Sequence, residues 1–446
     1  MNSTTTPGLG LSLSGGGYRA TAFHLGTLKK LQEMKILEKV NVISTISGGS
    51  ITGAYYCLNK DNYTEFEKSL YHKLQTGNVV TKVLLSVTFL QLILVTLLFI
   101  GPACYFLFTS HAWLFPVLFA AYIFILLKFQ FYIFPVSKRI EKIYDDFFYN
   151  KKTLNHLPDH PVLVVGATNL QTARAFTFSK LFMMDSTYQY LSPPISFEAS
   201  GFPVSRAVMA SSCVPFAFSP IHIEKKFFTN PEDAEKVHPV LVDGGVYDNQ
   251  GIHKIMQRGR YACGTVITSD AGTGSAGESK FPNTIGLLME TVNVFMSRIK
   301  KVQMVQDVYN NAGTANKQIA YFSLGWDVEN CISGFIRNLA SRQITREVTE
   351  AHQLKPEWVL DPENYETVIA DYLKQRLDYN NIDKPSDEEK KIARGVGTNL
   401  TSLSKIQVDC LMKQAGALTE IQVKLYCPGI LRAGFNSRSD DTDGQQ

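Results

Sequence analysis

No long basic run interrupts this sequence. Charged residues make up only 19% of its 446 positions and the formal net charge is +4. So thin an excess is too diffuse for a nucleic-acid footprint and supports no more than a weak preference for an anionic membrane surface. There is no CxxC pair and no disulfide-rich spacing, and an odd count of 7 cysteines in a chain this size reads as reduced thiols in a reducing cytosol. The opening MNSTTTPGLG lacks the basic n-region and the apolar h-region of a secretory signal. The 9 histidines fall into no motif that would make one of them a catalytic or metal-binding group. No metal or organic cofactor is expected. Length leaves one large domain or two ordinary ones equally open.

Long apolar runs, by contrast, are present. Residues 83–108 carry no charge and, at about 1.5 Å per residue, are long enough to cross a hydrocarbon core of about 30 Å. After a short Thr109-Ser110-His111 turn, residues 112–134 form a second run interrupted by Lys128, which lies near one end and can reach the headgroups. Buried core helices or a re-entrant segment are the alternative to a membrane hairpin, but runs of this length exceed ordinary core helices. Lys68, Lys73 and Lys82 precede the first run and Lys138, Arg139 and Lys142 follow the second, while the turn has neither Lys nor Arg. The positive-inside rule then places both flanks, and with them both termini, on the cytoplasmic side. Phe66, Leu70 and Leu74 before the hairpin, and Ile140, Ile143, Tyr144 and Phe147 after it, recur at helical spacing and predict two helical stalks.

Three short units carry chemistry. In the first, Leu9 to Leu13 alternates like a strand and runs through Ser14-Gly15-Gly16-Gly17 into an amphipathic helix. Bare backbone N–H groups at a helix N-terminus can hold a phosphate or the oxyanion of a tetrahedral intermediate. A dinucleotide or P-loop site is disfavoured, because GxGxxG spacing and a following Lys-Ser/Thr are missing. In the second, the strand Val40 to Ile46 ends in Ser47-Gly48-Gly49 and opens another helix, as a nucleophile elbow does. Small neighbours are needed there: Gly49 satisfies one side, while Thr45 stands where glycine is usual. Ser50 also has a glycine two residues before it, but Thr52 follows two after and Ser50 lies inside the helix, so Ser47 is favoured. In the third, Val240-Leu241-Val242-Asp243-Gly244-Gly245 delivers a carboxylate at a strand end, where it can take a serine proton. An Asx-type turn would explain an isolated Asp-Gly, but not its company with the other two units.

Taken together and in this order, the glycine loop, the S-x-G elbow and the D-G-G turn resemble the patatin-like phospholipases and their cytosolic phospholipase A relatives. Ser205 to Phe216 is similar to the family's A-S-x-x-x-P-x-x-F block, and Gly166 to Leu170 to its central strand and turn. The match covers about residues 8–60 and 160–270, and residues 397–427 resemble the C-terminal helices of bacterial members more loosely. The resemblance implies a Ser-Asp dyad of Ser47 and Asp243 without histidine. It further implies an oxyanion held by the amides of Gly15, Gly16 and Gly17, with Gly48, Gly49, Gly244 and Gly245 as supporting glycines. Arg19 would brace the glycine loop or meet a lipid phosphate, and Asp248 and Asn249 read as turn-stabilising residues.

The expected architecture is a three-layer α/β patatin-like fold with a largely parallel central sheet, with strands near 9–14, 40–46, 162–167, 240–243 and 264–269. A discontinuous catalytic domain would occupy 8–82 and 138–446, with a C-terminal helical region about 284–435, and the hairpin would fill 83–136. Nucleophile and base lie on either side of the hairpin in sequence, so an even number of crossings is required to bring them together. The resemblance implies hydrolysis of lipid carboxyl esters, of phospholipid or lysophospholipid, with the bilayer and its lipids as partners. A lipid transacylase, or a non-catalytic membrane adaptor that keeps the fold, are the alternatives. Oligomerisation is not readable from the sequence.

Overall fold

The computed structural model describes residues 8–274, 283–311 and 316–431. Nine strands form one sheet: β1 (Leu9–Leu13), β2 (Val40–Ile46), β3 (Val162–Asn169), β4 (Arg174–Phe178), β5 (Met183–Asp185), β6 (Ile221–His222), β7 (Val240–Asp243), β8 (Thr265–Asp270) and β9 (Gln318–Ser323). The main path runs β5-β4-β3-β2-β1-β8-β9, and its centre, β3-β2-β1-β8-β9, is parallel throughout. Successive strand residues face opposite sides. Leu9, Leu11, Leu13 and Ile43 accordingly join the larger core, and Val42, Val164 and Val266 a smaller one with Ile252, Ile255 and Tyr261.

Over the larger core lie α1 (Gly17–Glu33), α2 (Gly48–Asn59) and the helix Lys405–Tyr426. Gly26 of α1 lies against the backbone of Met412, where a side chain would collide, so these two helices pack closely. The expected strands are all present, within two residues of their expected ends. The C-terminal region expected to be helical is not entirely so: β9 completes the sheet beside β8. Its residues 319–323 are all buried, so it shows no polar and apolar alternation to read. Residues 432–435 of that region lie outside the described residues.

The stalks appear as α3 (Tyr63–Thr76) with α4 (Val79–Leu84), and as α7 (Val136–Tyr144) after the hairpin. Phe66, Leu70, Leu74, Ile140, Ile143 and Tyr144 are buried as their spacing predicts. Between them stand α5 (Val87–Phe106) and α6 (Leu114–Ile133), two helices long and apolar enough to cross a membrane. They pack on each other, with the Thr96 and Tyr122 hydroxyls 2.8 Å apart, and otherwise expose their apolar side chains. The first apolar run does not form one helix from residue 83. Ser86 caps α5 by accepting from the Phe89 N–H at 3.2 Å, so Val83 and Leu84 belong to the stalk helix instead.

Candidate functional site

The register of the sheet explains why residues 47 and 243 meet. β2 runs parallel to β3 and its last pair is Ile46 with Gly166. One step further along β3, Ala167 pairs with Asp243 of β7, which approaches from the opposite direction. The two strands therefore abut end to end on the same edge of β3, β2 ending at Ser47 and β7 at Asp243.

Ser47 sits at φ 49° and ψ −118°, a left-handed conformation a serine adopts only under constraint from its surroundings. It makes the sharp strand-to-helix turn that holds a nucleophile clear of the backbone. Gly48 and Gly49 are pressed against the backbones of Gly17 and Leu13, contacts that a side chain would block. Thr45, where glycine is usual, fits because Gly53 has no side chain: a Cβ there would stand 2.6 Å from the Thr45 Cγ2.

The Asp243 carboxylate accepts from the Gly245 N–H at 2.7 Å. Burial pushes it up to about 6, against the pull of the Gly245 N–H and the nearby Ser47 hydroxyl. Its peptide is held on both sides. The Asp243 N–H donates to Cys213 O at 2.8 Å and the Thr168 hydroxyl donates to Asp243 O at 2.8 Å. Gly244 lies against the Gly166 carbonyl, which leaves no space for a side chain.

The glycine loop runs beside the serine, since a Cβ on Gly15 would stand 3.2 Å from the Ser47 Cβ. One expectation is corrected: the Gly15 N–H donates to Asn249 O at 2.9 Å and so does not point free to an oxyanion. The N–H groups of Gly16, Gly17 and Gly48 have no protein acceptor among the described residues. A Cβ on Gly48 would stand 2.8 Å from the Gly17 nitrogen, so the elbow and the loop present these amides close together. Arg19 lies over the loop, where its Nη1 donates to Val396 O at 3.2 Å and burial lowers its affinity for its proton. Ser50 is fully buried, 3.0 Å from the Thr45 hydroxyl and 2.9 Å from that of Ser211. Asp248 accepts from the N–H groups of Gln250, Gly251 and His253, as a turn-stabilising residue does.

Ser211 was not singled out by sequence reasoning, although it lies in the block Ser205 to Phe216. Its hydroxyl accepts from the Ser47 N–H at 2.9 Å and donates to Gly166 O at 2.6 Å, tying the elbow to β3. Among the described residues no histidine bonds to Ser47 or Asp243. The buried His24 uses its two ring nitrogens on the Ser269 hydroxyl and Ser14 O, and burial takes it down to about 4. No group of three or more His, Cys, Asp or Glu able to hold a metal occurs among the described residues.

The family model for the patatin-like phospholipases matches residues 11–255. The chain belongs to that family. The matched region includes every element just described around Ser47 and Asp243, and membership supports lipid acyl hydrolase activity in general terms. Among curated proteins none matches this chain. Solved structures similar to it include VipD from Legionella pneumophila, 14% identical with TM-score 0.32, covering 97% of this chain and 89% of that one. Human GIVD cytosolic phospholipase A2 is 10% identical with TM-score 0.46, covering 97% of this chain and 63% of the human one. In complex with a methyl gamma-linolenyl fluorophosphonate inhibitor and terbium chloride it is 12% identical with TM-score 0.44, again covering 97% of this chain and 60% of the human one. The chain thus spans less than two thirds of the human enzyme's length.

Proposed function

We propose that this patatin-like phospholipase is a membrane-anchored serine hydrolase that cleaves the carboxyl esters of phospholipids or lysophospholipids through a Ser47-Asp243 dyad. The observation that carries the reading is the end-to-end meeting of β2 and β7, which sets a constrained serine beside a buried carboxylate. Ser47 Oγ attacks the ester carbonyl carbon while its proton passes to Asp243. The N–H groups of Gly16, Gly17 and Gly48 receive the developing oxyanion. The tetrahedral intermediate collapses to an acyl-serine, and the departing alcohol takes the proton back from Asp243. Water then attacks the acyl carbonyl, gives its proton to Asp243, and Ser47 recovers it as the fatty acid leaves. Arg19, through Val396, positions the glycine loop.

The anchor is the α5–α6 pair, whose exposed Leu94, Leu97, Leu98, Phe124 and Leu127 are costly to leave in water and suit lipid. Its base is close to the dyad. Ser137, just past the hairpin, donates through its hydroxyl to Ser219 O and lies 3.6 Å from the Cys213 sulfur, and Cys213 O in turn holds the Asp243 N–H. Such a site would lie close to the lipid it is proposed to cleave.

A fluorophosphonate probe tests the dyad directly. Wild type should label and Ser47→Ala should not, with both folded and both in the membrane fraction. Labelling that survives in Ser47→Ala would overturn the assignment, and a wild type that never labels would favour the adaptor. Products formed with and without added acceptor alcohol separate hydrolysis from transacylation.

A further inference from the structure

The helix Thr284–Gln303 is fixed to the rest of the protein along one side. A Cβ on Gly245, beside Asp243, would stand 2.7 Å from the Met296 Cε. Lys300 pairs with the buried Asp270 at the end of β8. Met296 and Lys300 are four residues apart and share a face.

Among the described residues nothing covers the other face. Leu287, Leu288, Val294, Phe295 and Val302 are 40% to 62% exposed, and Val305 in the following turn is 49% exposed. At 3.6 residues per turn these positions fall in one arc of about 120°. Exposed Arg298 lies inside the arc and exposed Lys301 at its edge, while the nearest acid, Glu290, is half-buried and accepts from Asn293 at 3.1 Å. An apolar arc with cations and no carboxylate is the pattern of a helix that lies in an anionic interface. Residues 275–282, which precede the helix in sequence, hold Phe281 as their one large apolar residue. Val214 and Phe216, 38% and 64% exposed, follow Cys213, whose carbonyl accepts from the Asp243 N–H.

We propose that this face of the helix Thr284–Gln303 lies in the headgroup region of an anionic bilayer, a second lipid contact beside the active site and separate from the hairpin. The inference rests on the membrane-bound reading above and adds to it. With Met296 on one side of the helix and lipid on the other, the dyad is flanked by membrane both at the hairpin base and across this helix.

The test uses full-length protein with Cys104→Ser, which removes the exposed cysteine among the described residues. Phe295→Cys is then labelled with an environment-sensitive nitrobenzoxadiazole dye, and Leu360→Cys, at an 85% exposed position on another helix, serves as control. In phosphatidylcholine vesicles containing phosphatidylglycerol, the dye at 295 should shift to the blue and be quenched by lipids doxyl-labelled near the headgroup. It should respond less in phosphatidylcholine alone, and the control should stay in water. The double variant Leu288→Ser/Phe295→Ser should keep its turnover of a water-soluble ester and lose at least about tenfold on anionic vesicles. Arg298→Gln/Lys301→Gln should remove most of the gain that phosphatidylglycerol gives. A dye at 295 that behaves like the control overturns the inference, as does a blue shift that follows protein density rather than lipid, which would mean a second copy covers the face. Failure of the hairpin reading has a different signature, extraction of the whole protein into carbonate. Failure of the dyad shows only in fluorophosphonate labelling.

Discussion

Because Asp243 is driven up to about 6 by burial, the carboxylate proposed to accept the Ser47 proton exists only above that range. We expect kcat/KM on a water-soluble ester to rise through about pH 6 and then level. A profile centred near 4 would place the base elsewhere. The same burial has an opposite effect on stability. A raised folded-state value means that the folded protein holds this proton more tightly than the unfolded chain, so wild type loses stability as pH climbs from about 4 through about 6. Asp243→Asn carries no such charge. It should abolish turnover yet melt higher than wild type at pH 8, by at most about 3 kcal/mol, with the gap closing below about pH 4. Ser50→Ala should cost about 1–2 kcal/mol through its buried hydroxyl network and leave the labelling of Ser47 intact. Gly53→Ala should cost about 1–3 kcal/mol by colliding with the Thr45 methyl. Adding Thr45→Gly should restore much of that, a coupling readable in a double-mutant cycle of melting curves. At this scale the sequence showed the serine, the aspartate and the glycines, because turn chemistry is local. It did not show that the Gly15 amide is turned toward Asn249, or that Ser211 bridges the elbow to β3, since both depend on partners far along the chain.

The hairpin can be treated as a removable element. α4 and α7 pack on each other, so the chain leaves for α5 and returns from α6 at neighbouring points. Replacing residues 85–135 with a short Gly/Ser linker should give a soluble protein that cleaves a water-soluble ester at near wild-type rate but acts poorly on bilayers. If the shortened protein fails to fold, these helices are core and not anchor. Carbonate extraction of the intact protein checks the anchor independently. The elements easiest to read were those with a strong physical period or length: the apolar runs, the amphipathic stalks, and the parallel strands β1, β2 and β3 that lead into glycine turns. Of the antiparallel additions, β5 and β6 span only 3 and 2 residues, too few to show the two-residue period by which a strand declares itself. The break at Ser86 was equally hidden, because an N-cap inside a continuous apolar run leaves no mark in hydropathy.

The molecule as a whole is stitched together from distant parts of the sequence. β1 pairs with β8, Leu9 opposite Thr265, and the helix behind the glycine loop is bound at Tyr18 N–H to Asn399 O at 2.9 Å. The same late stretch reaches the stalk, where the Val79 N–H donates to Leu400 O at 3.1 Å and the Leu403 N–H to Leu74 O at 2.9 Å. One strap thus touches both the helix that follows the glycine loop and the stalk at the foot of the hairpin. Its position near the end of the sequence sets an order of events during synthesis. Ser47 leaves the ribosome before the hairpin, the hairpin before Asp243, and Asp243 before the strap that holds the helix behind the glycine loop, so the site is expected to stay incomplete until that strap has emerged. We expect ribosome-bound nascent chains halted before about residue 400 to stay unreactive toward fluorophosphonate even after Asp243 is exposed, and chains released at full length to react. On the function proposed above, such an order would keep the site incomplete until the hairpin has had time to find lipid, and so would keep an active hydrolase from working adrift among other membranes.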